Sequence, residues 1–173
     1  MKITLYVLLV LVLTQSCELD NRSGDFKLLP HPQEWKIGGN SELRVTDLKY
    51  HFNASGLSLP PGSDFLSSAS STDKKDKAQL VYTINPNLDL KEEGYFMNIS
   101  AKQIQITAKD QAGLIYGLAT LEQLMEDAEE QDVPLPLSQI KDYPLLSYRA
   151  IHWDVKHHRE TLDYYYRMID KLK

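Results

Sequence analysis

The sequence predicts an α+β fold: an antiparallel sheet packed with a long helix, followed by a single β/α unit. Three observations carry this. Tyr95, Met97 and Ile99 recur at every second position, and Ile104, Ile106 and Ala108 do so again after a short gap, which describes a hairpin with one buried face. From Asp110 the period changes from two to helical, placing Leu114, Ile115, Leu118, Leu121 and Met125 on one face. Near the end the strand-like run LLSYRAIHWDV is followed by the polar turn KHHRE and a helical pattern of Leu162, Tyr165, Tyr166, Ile169 and Leu172. One such strand, loop and helix cannot bury itself.

Composition sets the outer bounds. The chain has 173 residues, 42% hydrophobic and 25% charged, near the soluble globular average. Its net charge of −5, with no basic stripe, argues against a nucleic-acid partner. At the N-terminus, Lys2 precedes an apolar run from Ile3 to Leu13, the length of a signal-peptide core and short of the roughly 20 residues of a membrane-spanning helix. The run ends at TQSC, and residues 1–17 resemble a bacterial lipoprotein signal peptide in which Cys17 is lipidated. Thr14 stands where that pattern usually has leucine, so an ordinary secretory signal with an incidental cysteine is the alternative. Both readings export the chain, and a single cysteine leaves no internal disulfide.

The elements follow in order. Residues 18–27 are polar and lack periodicity, as a tether does. LLPHPQEWKIGG holds a short extended stretch between prolines and a double glycine, and SELRVTDLKYHF has the composition of a strand. Residues 53–77 are rich in Ser, Pro, Gly and charge and read as a surface excursion. AQLVYTINP is a strand closed by Asn-Pro, and the hairpin follows it. Asp110 is placed to cap the helix. Gly113 and Gly117, four apart on it, allow close approach to the sheet. DAEEQDVPLPLSQIKDYP, acidic and with three prolines, reads as a connector.

Two stretches carry a family resemblance. Residues 93–124, opening on Glu93-Gly94-Tyr95 and continuing with Ala112, Gly113, Tyr116, Gly117, Thr120, Leu121, Gln123 and Leu124, resemble the hairpin and helix of the N-terminal domain of glycoside hydrolase family 20, the β-N-acetylhexosaminidases. IKDYPLLSYRAIHWDVKHH is similar to that family's entry into its catalytic barrel, with matches at Asp142, Pro144, Tyr148, Arg149, Asp154 and His158. LLPHPQEWK resembles the family's usual opening. Ala150, Trp153 and His157 depart from the pattern, where glycine, an aliphatic residue and arginine are usual. The resemblance implies an N-terminal α+β domain over 28–140 and, over 141–173, the start of a (β/α)₈ barrel that takes about 250 residues in full. A truncated form of a larger enzyme is therefore expected.

The same resemblance implies the chemistry. In the family, the 2-acetamido carbonyl of a terminal N-acetylhexosamine attacks the anomeric carbon, an aspartate steadies the acetamido group, and an adjacent glutamate serves as acid and then base. Those carboxylates form an Asp-Glu pair on a later barrel strand. No Asp-Glu dipeptide occurs in this chain, so the catalytic pair is absent and the chain alone is expected to be inactive. Arg149 takes the position implied to bind sugar hydroxyls, with an ion pair to a carboxylate such as Asp154 as its structural alternative. Asp154 and His158 are expected to support the site from behind. His152, Asp154, His157 and His158 also make a metal site geometrically conceivable, but the family needs neither metal nor other cofactor.

The function so implied is that of an exported β-N-acetylhexosaminidase, lipid-anchored in a bacterial envelope and acting on N-acetylhexosamine-containing glycans. Two alternatives stand beside it: another glycosidase with the same kind of N-terminal domain, or a surface module that binds glycan or protein without catalysis. The apolar helical face from Leu162 to Leu172 argues against the module, because an evolved module would not end on an unpaired unit.

Overall fold

The computed structural model describes residues 24–52, 65–66, 70–72, 77–154, 156 and 159–170. Its strands are β1 (Glu34–Asn40), β2 (Lys49–Phe52), β3 (Ser70–Ser71), β4 (Leu80–Ile84), β5 (Tyr95–Ile99), β6 (Ile104–Ala108) and β7 (Pro136–Asp142). Two α-helices, α1 (Gln111–Gln131) and α2 (Leu162–Asp170), complete it, with a 3-10 turn at Val45–Asp47. The seven strands form one sheet in the order β1-β7-β5-β6-β4-β2-β3.

The α+β class holds, but the sheet is mixed rather than antiparallel. β1 with β7, β5 with β7, and β5 with β6 are antiparallel, whereas β6 with β4, β4 with β2, and β2 with β3 are parallel. Alternation reports which face of a strand is buried and carries nothing about the direction of its neighbour. β2 and β4 are separated by 27 residues in sequence, 53–79, length enough for the crossover that a parallel pair requires.

The expected hairpin forms, with Tyr95 opposite Ala108, Met97 opposite Ile106 and Ile99 opposite Ile104. All six are buried under α1. β4 is buried continuously at Leu80, Val81 and Tyr82, as suits a strand with parallel neighbours on both sides. α1 presents Leu114, Leu118, Leu121, Leu124, Met125 and Ala128 to the sheet. Ile115, expected on this face, is only half-buried.

The two glycines permit this contact. A Cβ on Gly113 would overlap the carbonyl oxygen of Gly94, and one on Gly117 would lie 3.0 Å from Ile106 and 3.1 Å from the Tyr95 ring. The helix stops at Asp132, whose left-handed backbone (φ 52°) returns its N–H to the carbonyls of Ala128 and Glu129.

Two segments differ from their expected form. The acidic, proline-rich stretch read as a connector continues α1 as far as Gln131 and then supplies β7, hydrogen-bonded to β1 on one side and β5 on the other. Its prolines are compatible with this because Pro136 is the first residue of the strand and none follows until Pro144. Conversely, LLSYRAIHWD forms no strand: Leu145–Asp154 has no ladder partner among the described residues and is exposed throughout. A barrel strand takes its hydrogen bonds from a strand on each side, and no such neighbours are present among the described residues.

The packed fold also reaches back into the stretch whose composition suggests a tether. Phe26 and Leu28 are buried, and the N–H groups of Asp25, Lys27 and Leu29 donate to Gln131, Asp127 and Gln123 along α1 at 2.7, 2.8 and 2.9 Å.

Candidate functional site

The turn that leads into β5 organises a connected group of polar side chains. Asp110, the N-cap of α1, uses both carboxylate oxygens. Oδ1 accepts from the N–H of Gly113 at 2.8 Å, satisfying a free donor of the helix start, and Oδ2 accepts from the N–H of Glu93 at 2.7 Å. Glu93 is thereby fixed in the left-handed region, at φ 61°, where residues with a Cβ are uncommon. Gly94 follows with its carbonyl against Gly113, so the turn and the helix start are built as one piece.

Arg149 meets this piece. Its Nη2 donates to the Glu93 carboxylate and, at 2.9 Å, to the hydroxyl of Tyr116 on α1; its Nη1 donates to the carbonyl of Leu146 in its own segment. The guanidinium centre also lies 5.6 Å from the Tyr116 ring centroid, within cation–π reach. The Glu93 hydrogen bond, and after it that of Tyr116, holds the Arg149 pKa above its already high ordinary value. From the same turn, Lys91 Nζ stands 4.5 Å from the centroid of the Tyr143 ring.

The other expected residues are dispersed. Asp154 is exposed and its Oδ1 accepts from the N–H of Lys156 at 2.8 Å, so the carboxylate serves a local turn, and Arg149 has Glu93 as its ionic partner. His152 is exposed. His157, His158 and Cys17, with the whole apolar N-terminal run, lie outside the described residues. Among the described residues, no three His, Cys, Asp or Glu side chains converge as metal ligands would, and no helix is long and apolar enough to cross a membrane. Trp153 packs edge-on against Tyr165 of α2, with ring centroids 5.5 Å apart.

Sequence reasoning recognised Glu93 and Tyr116 as parts of a motif but gave them no partner. The available signal was that both are polar side chains within a motif built largely of glycine and apolar residues.

A concave surface lies on the open face of the sheet, a shallow trough of about 550 Å³. Phe96 is the aromatic residue of its lining, which also includes Asn98, Gln105 and Gln139. Its charges are partly matched, since Lys141 pairs with Glu34 at 3.1 Å. These groups can hydrogen-bond a polar ligand; they include no pair of opposed carboxylates of the kind glycoside hydrolysis uses.

Comparison with known proteins places this architecture. Residues 25–143 match the family model described as glycosyl hydrolase family 20, domain 2. A β-hexosaminidase of Vibrio furnissii is 32% identical over 95 residues, 55% of this chain and 15% of that protein. One from Porphyromonas gingivalis is 36% identical over 81 residues, covering 43% and 10%. The chain thus spans a small part of the length of the curated relatives it matches. Among solved structures, the exo-β-N-acetylglucosaminidase of Vibrio harveyi in complex with N-acetylglucosamine superposes with a TM-score of 0.68 at 20% identity, covering 87% of this chain and 25% of that one. The N-acetyl-β-hexosaminidase of Streptomyces plicatus gives 0.67 at 23% identity, covering 83% and 31%. These two likenesses establish a shared fold, and the family model spans the sheet, its helix and the turn that receives Arg149: the chain belongs to glycosyl hydrolase family 20.

Proposed function

We propose that this chain is the N-terminal part of an exported β-N-acetylhexosaminidase, whose complete polypeptide removes terminal N-acetylhexosamine from glycans by a substrate-assisted retaining mechanism. The observation that carries the reading is the family match over residues 25–143, supported by relatives that are named β-hexosaminidases. In the complete enzyme the acetamido carbonyl of the sugar attacks its own anomeric carbon. A glutamate protonates the leaving oxygen and then activates water, while the neighbouring aspartate orients the acetamido group. This chain contains no Asp-Glu dipeptide, so its part is structural: the α+β unit and the segment leading on from it.

Residues 1–17 support export, with lipidation at Cys17 anchoring the protein to a bacterial membrane. Asp154 and His158 keep their proposed place behind the sugar site. The resemblance also gives Arg149 the sugar hydroxyls; in this structure its donors meet Glu93, Tyr116 and Leu146.

The test is direct. The purified chain is expected to release no nitrophenol from a nitrophenyl N-acetylglucosaminide, whereas a product of the same reading frame carried through a full barrel with an Asp-Glu pair does release it. Robust turnover by the 173-residue chain would overturn the assignment of catalysis to residues outside it.

A further inference from the structure

We infer that the trough on the open face of the sheet is a binding site for a short, uncharged oligosaccharide of N-acetylhexosamine, held across the strands without being cut. The kind of sugar rests on the hydrolase reading; the site itself rests on the register of three strands.

That register gathers the chemistry. Gln139 of β7 stands opposite Asn98 of β5, and Asn98 stands opposite Gln105 of β6, so three carboxamides form one row across the sheet. The row beside it runs from Lys141 through Phe96 to Thr107. Alternation puts both rows on the face away from α1, since the intervening Tyr95, Met97, Ile104 and Ile106 are buried beneath that helix. With strands about 4.8 Å apart, the amide row is about 10 Å long.

An aromatic ring among uncharged polar groups, with the charges kept to the margin, is the composition of a binding surface. Phe96 is 37% exposed and supplies the apolar body. Asn98, Gln105 and Gln139 are exposed, and no side-chain hydrogen bond joins them to another of the described residues. The volume of about 550 Å³ falls among those of small-ligand sites.

Charge and hydrogen-bond type select the ligand. Glu34 and Lys141 neutralise one another at 3.1 Å, and Lys36 stands on β1, the outer strand. Each carboxamide offers both donors and an acceptor, as the Thr107 hydroxyl also does. Their complement is a ligand without charge whose own groups donate and accept, which describes the hydroxyl and acetamido groups of a sugar. The C–H face of the sugar ring then covers Phe96. A peptide added as a strand needs free backbone groups, but β7, β5 and β6 are interior strands whose groups are spent on the ladders. A polyanion needs a cluster of cations that the two rows do not provide.

Titration of the purified chain with a β-linked N-acetylglucosamine tetramer, followed by the side-chain amide NMR signals of Asn98, Gln105 and Gln139, tests the site. The three signals are expected to shift together and saturate, with a dissociation constant on the order of 1 mM for so open a surface. Phe96→Ala, Asn98→Ala and Gln139→Ala are each expected to weaken binding about fivefold. A glucose tetramer, which lacks the acetamido groups, is expected to bind about fivefold more weakly than the N-acetylglucosamine tetramer. Should Phe96→Ala fail to fold, the two amide variants, which alter exposed side chains alone, decide. Absence of shifts at about 10 mM tetramer, unchanged affinity in the folded variants, or equal affinity for the glucose tetramer or a neutral peptide would overturn the site. Binding is read at equilibrium in a chain without the Asp-Glu pair, so it stands or falls separately from hydrolysis by the longer product.

Discussion

Asp110 shows how much one side chain determines in this fold. One oxygen starts α1 and the other fixes the turn that presents Glu93, so the residue couples a helix cap to a strained backbone. Asparagine places an acceptor oxygen at only one of the two N–H groups and turns its own NH2 donor toward the other. Asp110→Asn is expected to destabilise the chain by about 1 kcal/mol and Asp110→Ala by about 2 kcal/mol, measured by urea unfolding. An asparagine variant as stable as the parent would remove the bridging role. At this scale the cap and the glycine contacts were legible, because both act within a few residues along the chain. The Glu93–Arg149 contact was not: its partners lie 56 residues apart, and nothing local in either stretch encodes the meeting.

Elements were legible in proportion to how strictly their side chains repeat. The hairpin and α1, with long runs at periods of two and 3.6, formed where the spacing put them. β7 was hidden because prolines and acidic residues suggested a connector, whereas its pattern of buried Pro136, Ser138 and Ile140 becomes clear only between β1 and β5. The strand expected after Pro144 failed for the reverse reason: its residues suit a strand, but a strand is completed by its neighbours. The junction of hairpin and helix centres on Leu121, which is 0% exposed. Leu121→Ala is expected to cost about 3 kcal/mol, with the unfolding midpoint falling and the denaturant slope unchanged. A loss below about 1 kcal/mol would show that the core closes around the missing atoms.

Across the whole molecule, two buried phenols set an alkaline limit. Burial pushes the Tyr82 hydroxyl up to about 12 and raises that of Tyr95 further, against a partial opposing effect of its 2.6 Å hydrogen bond with Thr120. A group whose folded pKa is raised binds its proton more tightly in the native state, so its contribution is complete below the unfolded value of 10.0 and is lost as pH rises through about 12. Stability is therefore expected to fall between those two values, and Tyr82→Phe to flatten the fall, in denaturation series at pH 9 and pH 11. An equally steep decline in the phenylalanine variant would assign the alkaline limit elsewhere.

The position of β7 governs the order in which the fold is assembled during synthesis. Among the described residues β1, made early, pairs only with β7, and β7 is the last strand of the sheet to be made. Until residue 142 is available, a nascent chain can join β4, β5 and β6 beneath α1 while β1 waits as a strand without a partner. The sheet closes next to its β1 edge by a late insertion between two strands already in existence. On the β1 side such an insertion joins residues about 100 positions apart, which makes it the slow, topologically demanding step and the interval in which a neighbouring chain has its best opportunity to capture the open edges of β1 and β5.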